Sequence, residues 1–80
     1  MSHGRYVRPL QLPATIHGDG GWICVASKDR GGIALSFISP DRGVAGHARW
    51  SERDRTIRYV KGVRSDVVLR FENQLRKVMP

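Results

Sequence analysis

The sequence predicts an α+β fold: a four-stranded antiparallel β-meander with one C-terminal α-helix packed on one face, preceded by an N-terminal arm or short edge strand. Three observations predict it. Residues 22–60 contain four apolar-polar runs of strand length, separated by turn-rich segments. The connections between these runs are too short for a crossover, so neighbouring strands must be antiparallel. Residues 66–79 then change to an apolar repeat of helical period.

Residues 1–21 are rich in breakers (Gly4, Pro9, Pro13, Gly18, Gly20, Gly21) and read as an arm. Within them Tyr6-Val7-Arg8 and Leu10-Gln11-Leu12 alternate, which permits an edge strand interrupted by Pro9. Residues 22–80 form the domain. Its strands are expected at about 22–27, 33–38, 44–50 and 55–60. The Pro40-Asp41-Arg42-Gly43 stretch suits a tight turn, with Pro setting φ and Gly free to take φ > 0. If every loop closes symmetrically, Val25 faces Leu35, Ile23 faces Phe37, Leu35 faces Ala48, Ile33 faces Trp50, Ala48 faces Ile57 and Gly46 faces Tyr59. That register puts an almost wholly apolar set on one face. The other face collects Trp22, Cys24, Ala26, Ala34, Ser36, Ile38, His47, Arg49, Thr56 and Arg58. For the helix, Ser65 is the expected N-cap and Asp66 favours its first turn. Val67, Val68, Phe71, Leu75, Val78 and Met79 form its apolar stripe, and Asp66/Arg70 and Glu72/Arg76 are i,i+4 pairs.

Eighty residues fit one domain with a modest core. No apolar run approaches the length of a membrane span, and Met1-Ser2-His3-Gly4-Arg5 lacks the apolar stretch of a signal peptide, so a cytoplasmic protein is expected. Cys24 is the single cysteine and lies in an apolar run, where a packed hydrophobe is expected rather than a reactive thiol. Charge is the loudest compositional signal: 14 Lys+Arg oppose 7 Asp+Glu, a net +7. Eleven of the cations are arginine, whose planar fork grips phosphate or carboxylate in two places. Residues 42–64 hold seven cations against Glu52 and Asp54, leaving +5 in that segment. Such a field attracts polyanions. The bland alternative is a solvated face that only keeps the chain soluble.

The residues offer little for catalysis. There is no phosphate-cradling glycine loop before a helix, no HExxH and no nucleophile elbow. His3, His17 and His47 lack metal-ligand spacing, so neither a metal nor another cofactor is implied. The one constellation to weigh is Cys24, Ser36, His47 and Arg58, which share a row in the expected register. Ser36 and His47 are cross-strand neighbours there, but Cys24 lies two strands from His47, roughly 10 Å away and too far for a thiolate–imidazole pair. The expected protein is therefore not an enzyme, and no small-molecule substrate is evident.

Binding is the better expectation. His47, Arg49 and Arg58 cluster on the exposed sheet face, with Arg49 and Arg58 placed to grip an anion. Arg42, Arg53, Arg55, Lys61 and Arg64 extend the field at its rim, and Trp22 offers apolar contact at the far edge. Aromatic interleaving is thin, because Trp50 and Tyr59 are expected inside. The first partner class is nucleic acid or a nucleoprotein. The second is an acidic protein surface, contacted by a small phage or mobile-element inhibitor or adaptor of which anti-CRISPR proteins are the familiar type; only size and the lack of motifs suggest it. The apolar end of the same face suits self-association as a homodimer, or cover by the N-terminal arm. No membrane partner is expected.

Overall fold

A computed structural model describes residues 11–79. Five strands, β1 (Ala14–His17), β2 (Ile23–Asp29), β3 (Gly32–Ser39), β4 (Gly43–Ser51) and β5 (Thr56–Lys61), are followed by one helix, α1 (Ser65–Val78). The strands pair in chain order as one open antiparallel sheet, so the fold is α+β with a C-terminal helix and five strands rather than four. The additional strand starts immediately after Pro13, which cannot donate to a ladder, and uses the β-branched Thr15 and Ile16. It pairs only with β2, as Ala14↔Ala26 through His17↔Ile23. The expected Tyr6-Val7-Arg8 strand lies outside the described residues, and Leu12 packs against the core instead of pairing.

The helix lies on the face formed by Cys24, Ala26, Ile33, Leu35, Phe37, Ala48, Trp50 and Ile57 and contributes Val67, Val68, Phe71 and Leu75 to the same buried cluster. Phe37 and Phe71 meet as tilted rings, centroids 5.6 Å apart, at its centre. Burial of this apolar face supplies the main driving force for the two layers. The expected stripe holds except at Val78, which points to solvent while Met79 is buried. Arg64, not Ser65, occupies the N-cap position, without a side-chain cap bond. Asp66 reaches back to Arg64 rather than forward to Arg70, whereas Glu72 and Arg76 do pair.

The middle hairpin follows the expected register over Ile33↔Trp50, Leu35↔Ala48, Ser36↔His47 and Phe37↔Gly46, then shifts by one at a bulge, so that Ile38 pairs with Val44 and Ser39 with Gly43. Its turn returns through Gly43 at φ 76°, the left-handed conformation that glycine adopts freely. The two outer hairpins differ from expectation. In the first, Ala26 rather than Val25 faces Leu35, and Cys24 rather than Ile23 faces Phe37. The loop is shorter than symmetric closure assumed: Lys28 and Asp29 remain in the strand, and only Arg30 and Gly31 turn. The Asp29 carboxylate accepts a bond from the Gly31 N–H at 2.9 Å, which fixes the tight turn. This one-residue slip exchanges the faces of β2. Cys24 and Ala26 are fully buried, and Ile23 and Val25 lie half-buried on the open face. Burial pushes the Cys24 thiol up to about 12.

In the last hairpin Trp50, not Ala48, faces Ile57. Ser51 pairs with Thr56, and the Arg55 N–H donates to the Ser51 carbonyl at 2.7 Å, closing a four-residue loop with Arg55 at φ 59°. A shift of two keeps Ile57 inward and Arg58 outward. The register then breaks between His47 and Arg49, and His47 pairs with Lys61. Within this bulge Tyr59 takes φ 58°, so it does not face Gly46. Gly46 is instead crossed by the chain leaving β5: a Cβ there would lie 2.1 Å from the Lys61 carbonyl oxygen. The absent side chain is what lets Lys61-Gly62-Val63 pass beneath the sheet toward α1.

Candidate binding surface

With α1 on one side, the opposite face of the sheet has no layer over it among the described residues. Its rows follow from the pairing. Thr15, Val25, Ser36, His47 and Lys61 form one, and Ser27, Ala34, Arg49 and Arg58 form the next. The β2–β3 side is mainly small or apolar (Ile23, Val25, Ala34, Ile38), and the β4–β5 side is polar and basic. Ser36 Oγ lies 3.4 Å from His47 Nδ1, whereas Cys24 is on the other face. The row expected to join Cys24 to His47 therefore does not exist, and Arg58 sits opposite Arg49 rather than beside His47.

Two arginines directly opposite each other repel. Each here has its own carboxylate. Arg49 makes a two-pronged contact with Asp29, at 2.7 and 2.9 Å, across the intervening strand. Arg58 pairs with Asp54 of the β4–β5 loop and reaches Thr56 Oγ1 at 3.4 Å. The Arg49 hydrogen bonds hold the Asp29 carboxyl below the usual carboxylate range, and the same bonds raise Arg49. The residues expected to grip an anion are thus already held, though by solvent-screened pairs that hold only weakly.

The remaining predicted residues divide by place and by engagement. Arg55 turns toward the helix, donating to the Arg76 carbonyl oxygen, while Arg76 Nε donates to the Arg55 carbonyl oxygen at 2.9 Å. Arg55 thereby satisfies one of the unpaired carbonyls that end a helix. Glu72 accepts the Ile57 N–H at 2.8 Å, so the helix covers the first part of the β5 edge. Arg64 makes two 3.1 Å bonds to Asp66. Trp22 leaves the open face: it packs against the core cluster, beside the helix residues Val67 and Phe71. Arg42, Arg53 and Lys61 have no hydrogen-bonding or ionic side-chain partner among the described residues. Arg42 and Arg64 line a groove of about 330 Å³ with Trp22 at one end of β4. Arg49, Arg53 and Arg58 line another, of about 440 Å³, at the opposite end. The nine residues of β4 separate the two ends by roughly 27 Å.

Tyr59 lines the second groove and is 74% exposed. Strict alternation along β5 places this ring inside; the left-handed residue in the bulge brings it beside three arginines. Bulky residues rarely adopt that conformation. The nearest sequence sign is the run Arg58-Tyr59-Val60-Lys61, which lacks the glycine that normally marks a bulge. Trp50 also lines the groove, and its indole N–H is buried without a partner among the described residues. Among the described residues no three His, Cys, Asp or Glu side chains gather to hold a metal, and no helix is long and apolar enough to cross a membrane. Comparison with known proteins returns no match to a family model, to a curated protein or to a solved structure.

Proposed function

We propose that this protein is a non-enzymatic binding module that contacts nucleic acid through the β4–β5 side of its open sheet face. The observation that carries this reading is Tyr59, solvent-exposed in a groove with Arg49, Arg53 and Arg58. An aromatic face for a base and guanidinium groups for phosphate are the two elements that sheet surfaces use on single strands. Lys61 and His47 continue the basic surface along the strand pair toward Arg42. The net charge of +7 supplies long-range attraction. Arg49 and Arg58 join by exchanging a carboxylate for a phosphate, a trade made inexpensive by the exposure of both pairs.

The test is a fluorescence-anisotropy titration with a labelled oligonucleotide over a range of salt. Affinity is expected to fall by about tenfold or more between ~50 and ~200 mM salt, because each neutralised phosphate releases counterions. Salt-insensitive binding, or no binding at low salt, contradicts the proposal.

One observation favours a second reading, a small inhibitor or adaptor docking on a protein that itself handles nucleic acid. Arg49 and Arg58 are paired with Asp29 and Asp54 beside a groove that Glu52 also lines, and the face continues into the half-buried Ile23, Val25 and Ile38. Paired charges beside apolar surface are typical of protein interfaces. Pull-down with and without nuclease separates the two: a nuclease-resistant protein partner supports docking on protein.

A further inference from the structure

We infer that the groove at the end of the β4–β5 hairpin is a subsite for one unstacked nucleotide of a single strand, with its base on the ring of Tyr59 and its phosphate on Arg53 and Arg58. This rests on the nucleic-acid reading and narrows it to a strand type and a residue set.

The geometry selects the occupant. A concavity of about 440 Å³ accommodates a group of nucleotide size. In a duplex the base faces are covered by their neighbours, so a lone exposed ring has nothing to stack on; in a single strand every base offers a face. Within the groove the cations differ in readiness. Arg53 has no partner among the described residues, whereas Arg58 must first leave Asp54. Arg53 therefore makes the first phosphate contact, and Arg58 follows by exchanging one anion for another.

The backbone of Tyr59 provides a further sign. Its left-handed conformation costs stability and is what keeps the ring out of the core and in the groove. Glycine at this position adopts the same φ without strain and lacks only the ring. Tyr59→Gly thus deletes the stacking surface while keeping the fold, which Tyr59→Ala alone does not guarantee.

Three probes decide the matter, each about 12 nucleotides long to span a typical single-strand footprint: a labelled oligothymidine, an abasic strand of equal charge, and a blunt duplex. Wild-type protein is expected to bind the oligothymidine at least about tenfold more tightly than either of the others. Tyr59→Ala and Tyr59→Gly are expected to reduce it to the abasic level, and Tyr59→Phe to retain it. Equal affinity for the abasic strand or the duplex overturns the inference. So does salt-dependent oligothymidine binding that ignores every Tyr59 variant, an outcome that leaves the basic surface intact as a non-specific phosphate contact. Absence of binding to all three probes at low salt overturns the nucleic-acid reading as well.

Discussion

The two halves of the open face are built by different means. On β2 and β3 pairing is regular through its length, and side chains alternate strictly: Cys24 and Ala26 go in, Ile23 and Val25 come out. On β4 and β5 the register breaks between His47 and Arg49, and alternation fails with it. The regular half presents small and apolar side chains at fixed spacing. The irregular half presents Tyr59, which a regular strand would have buried, beside Arg49, Arg53 and Arg58. An interrupted ladder is thus what places an aromatic ring and cations on one surface. The underside of the interruption is correspondingly tight, because the chain leaving β5 runs across Gly46.

The comparison is broken most severely from below. Gly46→Ala puts a methyl group 2.1 Å from the Lys61 carbonyl oxygen and 2.5 Å from Val63 Cγ2. Backbone cannot yield as a side-chain tip can, so a loss of about 3 kcal/mol in urea unfolding is expected, with detachment of the Lys61–Val63 segment. A variant of wild-type stability would mean that this crossing is loose. On the regular half, Val25→Ser is expected to cost about 1 kcal/mol through lost half-buried apolar area, with oligonucleotide affinity unchanged. A large loss of affinity there would place the interface on the wrong half.

Smaller still is the acid response of the Arg49–Asp29 pair. The folded state holds the Asp29 carboxyl below its unfolded value, mainly through the Arg49 hydrogen bonds. Its contribution is therefore fully present above the unfolded pKa of about 4 and disappears as pH falls through the lower folded value. Urea midpoints for wild type and Asp29→Asn are expected to converge on acidification below about pH 4, and to keep a constant separation from pH 5 to 8. Convergence at neutral pH instead would show that the pair is not formed in solution.

The parts of this architecture that composition and periodicity reveal are those with one apolar face. The helix is clear from Val67, Val68, Phe71 and Leu75, and the middle hairpin from Ile33, Leu35 and Phe37 set against Ala48 and Trp50. On β2 both faces are apolar, so hydrophobicity cannot choose between Val25 and Ala26 as the inward residue, and the choice falls to a two-residue turn tied by Asp29. On β5 the bulge has no glycine to announce it, so Tyr59 was expected inside. The arginines were legible as a charged segment. Their engagements were not, since Asp29 lies twenty residues from Arg49 in the chain and Arg76 twenty-one from Arg55. Such pairings depend on which strands become neighbours.

The most direct test concerns whether the carboxylates hold Arg49 and Arg58 in reserve for an anion. Asp29→Asn with Asp54→Asn releases both guanidinium groups at the groove. Asp19→Asn with Asn73→Lys adds the same charge elsewhere without releasing a paired arginine and serves as the matched control. Binding of an oligothymidine at low salt is predicted to tighten beyond any change in the control, because neither arginine then has a carboxylate to leave, while the slope of log affinity against log salt stays that of the wild type, in which both already reach phosphate. Equal affinities for the two double variants would contradict the account and leave Arg49 and Arg58 as structural partners of Asp29 and Asp54 alone.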